Sequence, residues 1–266
     1  MNYLHGYNSL EQKRLENQAN YLQESIHKGV DFSNRKNLLE IGCGTGAQGQ
    51  IILEKYPTLN YTGIDISKKQ INKALENFKT REDGNLMCFK QITQNKFPCK
   101  NNHFDSAFIC WVLEHTKDPR QLIKETHRVL QKNAVLYVTE VYNRSFYLST
   151  ITPSILQYWK QYNQYQVSAG GNPNIGIELG KILNNCGFKK ISTKPLIIHV
   201  DKRNNIEKSK ALEYWKNLLL SAKNNLLENK LIDEKLLANF NSDFERIMKN
   251  EETIFFYSGI QMKCFK

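Results

Sequence analysis

Short apolar runs and longer stretches with an apolar stripe alternate along most of this chain. Leu10, Ala19, Leu22 and Ile26 recur near the 3.6-residue period and predict a helix over Ser9–Lys28, with Ser9 and Gln12 as a capping box. Asn37–Ile41 is a short apolar strand ended by Gly42-Cys43-Gly44-Thr45-Gly46, and Ala47–Tyr56 continues as a helix closed by Pro57. Tyr61–Ile66 is a second strand, with Asp65 near its carboxyl end, and Ser67 caps a helix through Phe78. Leu86–Lys90, Phe104–Trp111 and Ala134–Val141 read as further strands, with a helix at Pro119–Leu130. A helix at Gly176–Cys186 ends at Gly187, and strands at Ile191–Val200 and Thr253–Phe265 bring the number to seven. Strands alternating with helices imply crossover units and a mostly parallel sheet with helices on both faces.

Two stretches break this alternation. Ser145–Val167 is aromatic and helical in pattern (Phe146, Tyr147, Tyr158, Trp159, Tyr162, Tyr165), and Ile206–Lys249 reads as two or three helices. We read them as a cap on one domain: a core at 36–200 and 251–266, with an aromatic insertion at 145–170 and a helical insertion at 201–250. At 266 residues the chain has room for that single large domain and a substantial core.

Composition narrows the class further. A hydrophobic share of 40% and a charged share of 24% are ordinary for a globular protein, which argues against large-scale disorder. Charged residues interrupt the first thirty positions, and no run of about 18 apolar residues occurs, so we expect a cytoplasmic protein with no membrane span. The six cysteines are scattered without CxxC spacing or nearby histidines, so we expect packed thiols and no metal. The net charge of +11 is spread along the chain, which makes nucleic acid an unfavoured partner while leaving it open.

The strongest chemical signal is the loop after the first strand. Where a parallel strand turns into a helix, free N–H groups and the helix dipole converge on a ligand's anionic end, and glycines let the backbone come close. The spacing here is GxGxG, and Asp65 follows 19 residues after Gly46 at the end of the next strand. A carboxylate there can accept both hydroxyls of a ribose, so the pair suits a nucleoside cofactor.

These residues, with Tyr61-Thr-Gly-Ile-Asp-Ile-Ser67, Phe104-Asp-Ser-Ala-Phe108, Val112-Leu-Glu-His115 and Arg128-Val-Leu130, resemble the class I S-adenosylmethionine-dependent methyltransferases. Within that class the resemblance is to the small-molecule type that includes ubiquinone and menaquinone biosynthesis enzymes. It spans roughly residues 36 to 142, with a weaker echo from Gly176 to Phe188. It implies a Rossmann-like doubly wound α/β fold and S-adenosyl-L-methionine as cofactor; ahead of it we expect an N-terminal helical segment, 1–35, over the cofactor site.

The resemblance also implies contacts: Glu40 and the backbone of Gly42, Cys43, Gly44 and Gly46 around the methionine part, Asp65 on the ribose, and Ile66 on one face of the adenine. Cys110 and Trp111 would form the floor below the sulfonium, and Gln48 is a further cofactor contact. Where the family often has an acidic residue on the adenine amine, this chain has Ile92-Thr93, so a weaker adenine anchor is expected.

A sulfonium is already an electrophile, so alignment and exclusion of water are the main tasks, with a base needed for hydroxyl or protonated amine acceptors. His115 and His5 are the candidate bases, although His115 also fits as a support of its loop and His5 as part of a frayed terminus. Tyr7, Tyr158, Trp159, Tyr162 and Trp215 are candidates for an aromatic acceptor site, with core packing as the competing explanation. The site after the fourth strand reads Cys110-Trp111-Val112-Leu113, without the Pro-Pro turn in which enzymes that methylate the amines of adenine or glutamine resemble one another. Methyl transfer to oxygen, nitrogen or carbon of a small molecule is the preferred reading. An RNA or protein methyltransferase and a non-catalytic cofactor-binding scaffold are the alternatives. The acceptor and the oligomeric state are not legible.

Overall fold

The computed structural model describes residues 4–79, 87–92 and 96–266. Leu86, expected to open the third strand, lies outside them, as does Thr93. The chain opens with α1 (Ser9–Tyr21) and α2 (Gln23–His27), then runs β1 (Asn37–Ile41), α3 (Ala47–Lys55), β2 (Asn60–Asp65), α4 (Lys68–Phe78) and β3 (Met87–Gln91). β4 (Phe104–Cys110), α5 (Pro119–Val129) and β5 (Leu130–Glu140) complete the crossover part. The two-residue β6 (Tyr147–Leu148) precedes α6 (Pro153–Ser168), α7 (Ile175–Asn185) and β7 (Lys189–Val200), and α8 (Asn205–Ser221), α9 (Lys223–Glu228), α10 (Glu234–Lys249) and β8 (Phe255–Phe265) follow.

The sheet order is β3-β2-β1-β4-β5-β8-β6, with β7 along the other side of β8. The pairs among β1 to β5 are parallel, whereas β8 runs antiparallel to β5, β6 and β7. This is the expected Rossmann-like doubly wound fold. All seven expected strands are present, and β6 adds a short eighth. β8 is not a sheet edge: it lies between β5 and β7, which is why Phe255, Tyr257, Met262 and Cys264 are all buried. No described helix is long and apolar enough to cross a membrane.

Strand alternation divides the interior between the two faces. Leu39, Ile41, Ala107, Ile109, Leu136 and Val138 pack with Ile123 of α5 and Leu179 and Leu183 of α7. Their neighbours Leu38, Tyr61, Phe108, Val135 and Tyr137 pack on the other face with Ile52 of α3, Phe78 of α4 and Ile26 of α2. A third core joins α6, α8, α9 and α10 through Tyr158, Leu212, Trp215, Leu226, Phe240 and Phe244, with Leu4, Leu148 and Phe255 included. The two irregular stretches thus share one apolar interior, and Leu4 is part of it.

The first helix corrects the sequence reading twice. Its cap is Asn8, whose side chain accepts from the Glu11 N–H at 2.8 Å, and the helix breaks at Leu22 into two pieces. Leu10 is 80% exposed, and the buried positions of α1 are Glu11, Gln18 and Ala19. A helix that turns its polar face inward has polar partners there.

Candidate active site

In an open α/β sheet, ligands bind outside the carboxyl ends of the strands where the strand order reverses. Here that point lies between β1 and β4, and the loops leaving both strands meet there. Gly42, Gly44 and Gly46 all have left-handed φ, of +70°, +53° and +80°. The turn lays the loop over β2, with the Gly42 and Cys43 N–H groups donating to the Ile64 carbonyl at 2.8 and 3.0 Å. Asp65 is held in place by the turn: the Gly44 N–H donates to Oδ2 at 3.0 Å and the Ser67 N–H to Oδ1 at 2.7 Å. Burial raises its pKa above the usual carboxylate range, while these backbone donors oppose the rise.

The second loop follows β4. Trp111 has φ +54°, an unfavourable conformation for a bulky side chain that is tolerated at sites where surrounding structure enforces it. That enforcement comes from Glu140, at the end of β5, whose carboxylate accepts from the N–H groups of Val112, Leu113 and Glu114 at 2.9, 2.7 and 3.2 Å. Glu140 is fully buried, and burial together with the neighbouring Glu114 carboxylate pushes its pKa up to about 8.

These loops open into a cavity of about 490 Å³, in the usual range for small-molecule sites. One end is lined by Glu40, Gly42, Cys43, Gly44, Gln48, Asp65, Ile66, Ile92, Cys110 and Trp111, all expected cofactor contacts. Gly46 does not line it. Gly46 caps α3, and a Cβ there would come within 2.6 Å of Phe78, so its smallness serves packing. Gln48 is bonded to His27 at 2.7 Å. Thr93 lies outside the described residues.

Glu40 lies beneath the loop and accepts a hydrogen bond from the buried Tyr61 hydroxyl. Burial raises its carboxyl to about 8, with the Tyr61 bond opposing and Asp65 reinforcing. A carboxyl whose folded pKa lies above its ordinary 4.5 binds more protons when folded, so its stabilisation is full below about pH 4.5 and is lost as pH rises towards 8. The stability difference between wild type and Glu40→Gln, measured by urea denaturation, should therefore decline from about pH 5 to 8 by a few kcal/mol. A constant difference would contradict this placement of the group.

The far end of the cavity is aromatic and is roofed by α1, α6 and α8. Tyr7, Trp159, Tyr162 and Trp215 line it, together with Tyr214 and Tyr257. Tyr158 does not: it is fully buried, stacks on Phe240 at 4.2 Å and donates to the Leu219 carbonyl at 3.1 Å. The helical period turns Tyr158 into the cap core with Ile155, while Trp159 turns to the cavity. Tyr158→Phe should cost about 1 kcal/mol of stability, the worth of one hydrogen bond, and leave cofactor affinity unchanged by calorimetry.

His5 and His115, 110 positions apart in sequence, are brought to 6.1 Å between ring centroids. Leu4 and His5 are pinned there: Asn225 Nδ2 donates to the Leu4 carbonyl at 2.8 Å, and Ser221 Oγ lies 2.5 Å from His5 Nδ1. Burial holds both imidazoles below their usual pKa. Arg14, Glu11 and Gln18, not expected from the sequence, form the polar inward face of α1. Arg14 makes a two-pronged contact with Glu11 at 2.7 Å and bonds Gln18 at 2.7 Å.

The residues present fit a nucleoside-sulfonium cofactor. The Thr45 hydroxyl lines the cavity buried and, among the described residues, without a hydrogen-bond partner, as a group awaiting a ligand would be. Asp65 is positioned for a ribose, and the walls beyond it are apolar.

Residues 39–136 match a family model described as a methyltransferase domain. The chain is 28% identical over 183 residues to the polyketide synthase PksR of Bacillus subtilis, covering 65% of this chain and 7% of that protein. It is 28% identical over 155 residues to a demethylmenaquinone methyltransferase of Chlamydia muridarum, covering 53% of this chain and 65% of that one. Among solved structures, the phosphoethanolamine N-methyltransferase 2 of Haemonchus contortus, in complex with S-adenosylhomocysteine, is similar in fold. Its TM-score is 0.58 at 16% identity, over 93% of this chain and 53% of that chain. This chain thus spans less than two thirds of the length of each of the three. Sheet order and the matched segment agree: the chain has the Rossmann-like fold of the class I methyltransferases, with a methyltransferase-domain match over residues 39–136.

Proposed function

We propose that the protein is an S-adenosylmethionine-dependent methyltransferase that transfers a methyl group to oxygen, nitrogen or carbon of a small molecule by direct in-line displacement. The observation that carries this reading is the single cavity running from the Asp65 carboxylate and the glycine loop to an aromatic end beneath the cap. S-adenosylmethionine supplies a methyl group on a positively charged sulfur, so the protein itself need not provide a nucleophile. Asp65, the glycine loop and Thr45 hold the nucleoside and amino-acid parts, while Cys110 and the constrained Trp111 form the floor where the two ends meet. Helix α1 and the aromatic side chains close over the site and keep water away from the reacting atoms.

The names of the Chlamydia relative and the Haemonchus structure support a small-molecule acceptor. An acceptor of the ubiquinone or menaquinone precursor type suits the aromatic walls. Thermal unfolding with and without S-adenosylhomocysteine tests the cofactor half of the reading. At a hundredfold excess over Kd, bound ligand should add about 2.7 kcal/mol, visible as a rise in Tm. An unchanged Tm with both S-adenosylhomocysteine and S-adenosylmethionine would sink the proposal.

A further inference from the structure

The aromatic end of the cavity contains a histidine whose hydrogen bonds fix which ring nitrogen carries the proton. Ser221 Oγ lies 2.5 Å from His5 Nδ1 and 2.6 Å from the Leu218 carbonyl oxygen. A carbonyl only accepts, so the one Ser221 proton goes to Leu218 and the Ser221 oxygen accepts from His5. Nδ1 therefore bears the hydrogen, and Nε2 holds the lone pair of the neutral ring. Nε2 faces the Tyr162 hydroxyl at 3.4 Å, longer than a well-formed bond, and both residues line the cavity. Burial keeps the ring neutral at about pH 7, the state a base requires.

The neighbouring walls describe what this nitrogen would meet. Trp159 and Tyr162 lie nearly parallel, with ring centroids 5.6 Å apart, beside Trp215. Trp215 Nε1 and Gln166 Oε1 are buried without a hydrogen-bond partner among the described residues, and both side chains line the cavity. An indole N–H pairs with a carbonyl or ether oxygen, and an amide oxygen with an O–H or N–H.

We propose that this end of the cavity takes a neutral, planar acceptor bearing a hydroxyl and a second oxygen, and that His5 Nε2 is the base that removes the hydroxyl proton, with Ser221 as the residue that positions it. The proposal rests on the methyl-transfer reading above. The hydroxyl proton passes to Nε2, the oxygen bonds to the methyl carbon, and the bond from that carbon to sulfur breaks with its electron pair left on sulfur. The products are a methyl ether, a neutral thioether and an imidazolium that returns its proton to water.

Nitrogen-labelled histidine spectra of the full chain, saturated with S-adenosylhomocysteine, test the base directly, with the His5 signals identified by their loss in His5→Gln. The expected form is protonated Nδ1 and bare Nε2 in wild type and Ser221→Thr, and mixed forms in Ser221→Ala. A hydrogen on Nε2 in wild type overturns the base, and an unchanged Ser221→Ala spectrum overturns the positioning role. With S-adenosylmethionine carrying a carbon-labelled methyl and a small-molecule extract as the acceptor source, the product's methyl should be an ether. A methyl on nitrogen or carbon overturns the hydroxyl assignment. His5→Gln should slow labelling about 100-fold at unchanged cofactor affinity, and a change below about threefold overturns the role of His5. Failure of wild type to bind the cofactor strikes the methyl-transfer reading itself, a separate outcome.

Discussion

Asp65→Ala should weaken S-adenosylmethionine binding by about 1.5 to 3 kcal/mol, roughly 10- to 150-fold in Kd, the scale of hydrogen bonds to a charged group. Both Asp65 oxygens are fixed before any ligand arrives, by the Gly44 N–H at 3.0 Å and the Ser67 N–H at 2.7 Å, so their remaining lone pairs point where the turn sets them. The alanine variant also releases the turn. Asp65→Asn serves as its companion, since one oxygen still accepts while the charge is gone, and an intermediate loss of about tenfold is expected. Calorimetry on both variants, with Tm as a check of folding, separates the two effects. An alanine variant that folds and binds as tightly as wild type would remove Asp65 from the site.

Gly42→Ala should destabilise the fold by about 2 to 5 kcal/mol, from roughly 1–2 for a left-handed side-chain residue and 1–3 for overpacking. Gly42 has φ +70°, and a Cβ there would stand 2.4 Å from Val112 Cγ2 and 3.0 Å from Cγ1. Val112 cannot retreat freely, because its N–H is held by Glu140 at 2.9 Å. Pairing the change with Val112→Ala removes the steric part and leaves the backbone part. The double variant should therefore recover about 1–3 kcal/mol in urea denaturation, a coupling that two independent sites would not display. Additive effects would contradict the contact between the two loops.

The cofactor end of the site was legible because its signals are local. The β1 strand, the glycine turn and Asp65 lie within 29 residues, and each position's residue type follows from the turn it makes. Glu140 was not legible. Its three N–H partners precede it by 26 to 28 residues and come within reach only because β5 lies beside β4. Nothing in the local pattern distinguishes it from an ordinary strand-end glutamate.

The N-terminal helix was legible in part. The expected stripe holds at Ala19, Leu22 and Ile26, which are buried, but α1 leaves Leu10 exposed and turns Glu11 and Gln18 inward, where Arg14 bonds both. The aromatic insertion was half legible. Its composition suited either an acceptor wall or core packing, and the phase of α6 turns Trp159 and Tyr162 to the cavity while Tyr158 faces Phe240. The pairing of His5 with Ser221 joins the N-terminal segment to α8, 216 positions further on, and needed the fold to be seen at all.

The most direct test of the account is transfer of a labelled methyl group from S-adenosylmethionine by the full chain into an extract separated into small-molecule, RNA and protein fractions. The account predicts label in the small-molecule fraction, with S-adenosylhomocysteine formed in equal amount, and loss of that label in Asp65→Ala. Label confined to RNA or protein, or cofactor bound with no transfer to any fraction, would contradict it.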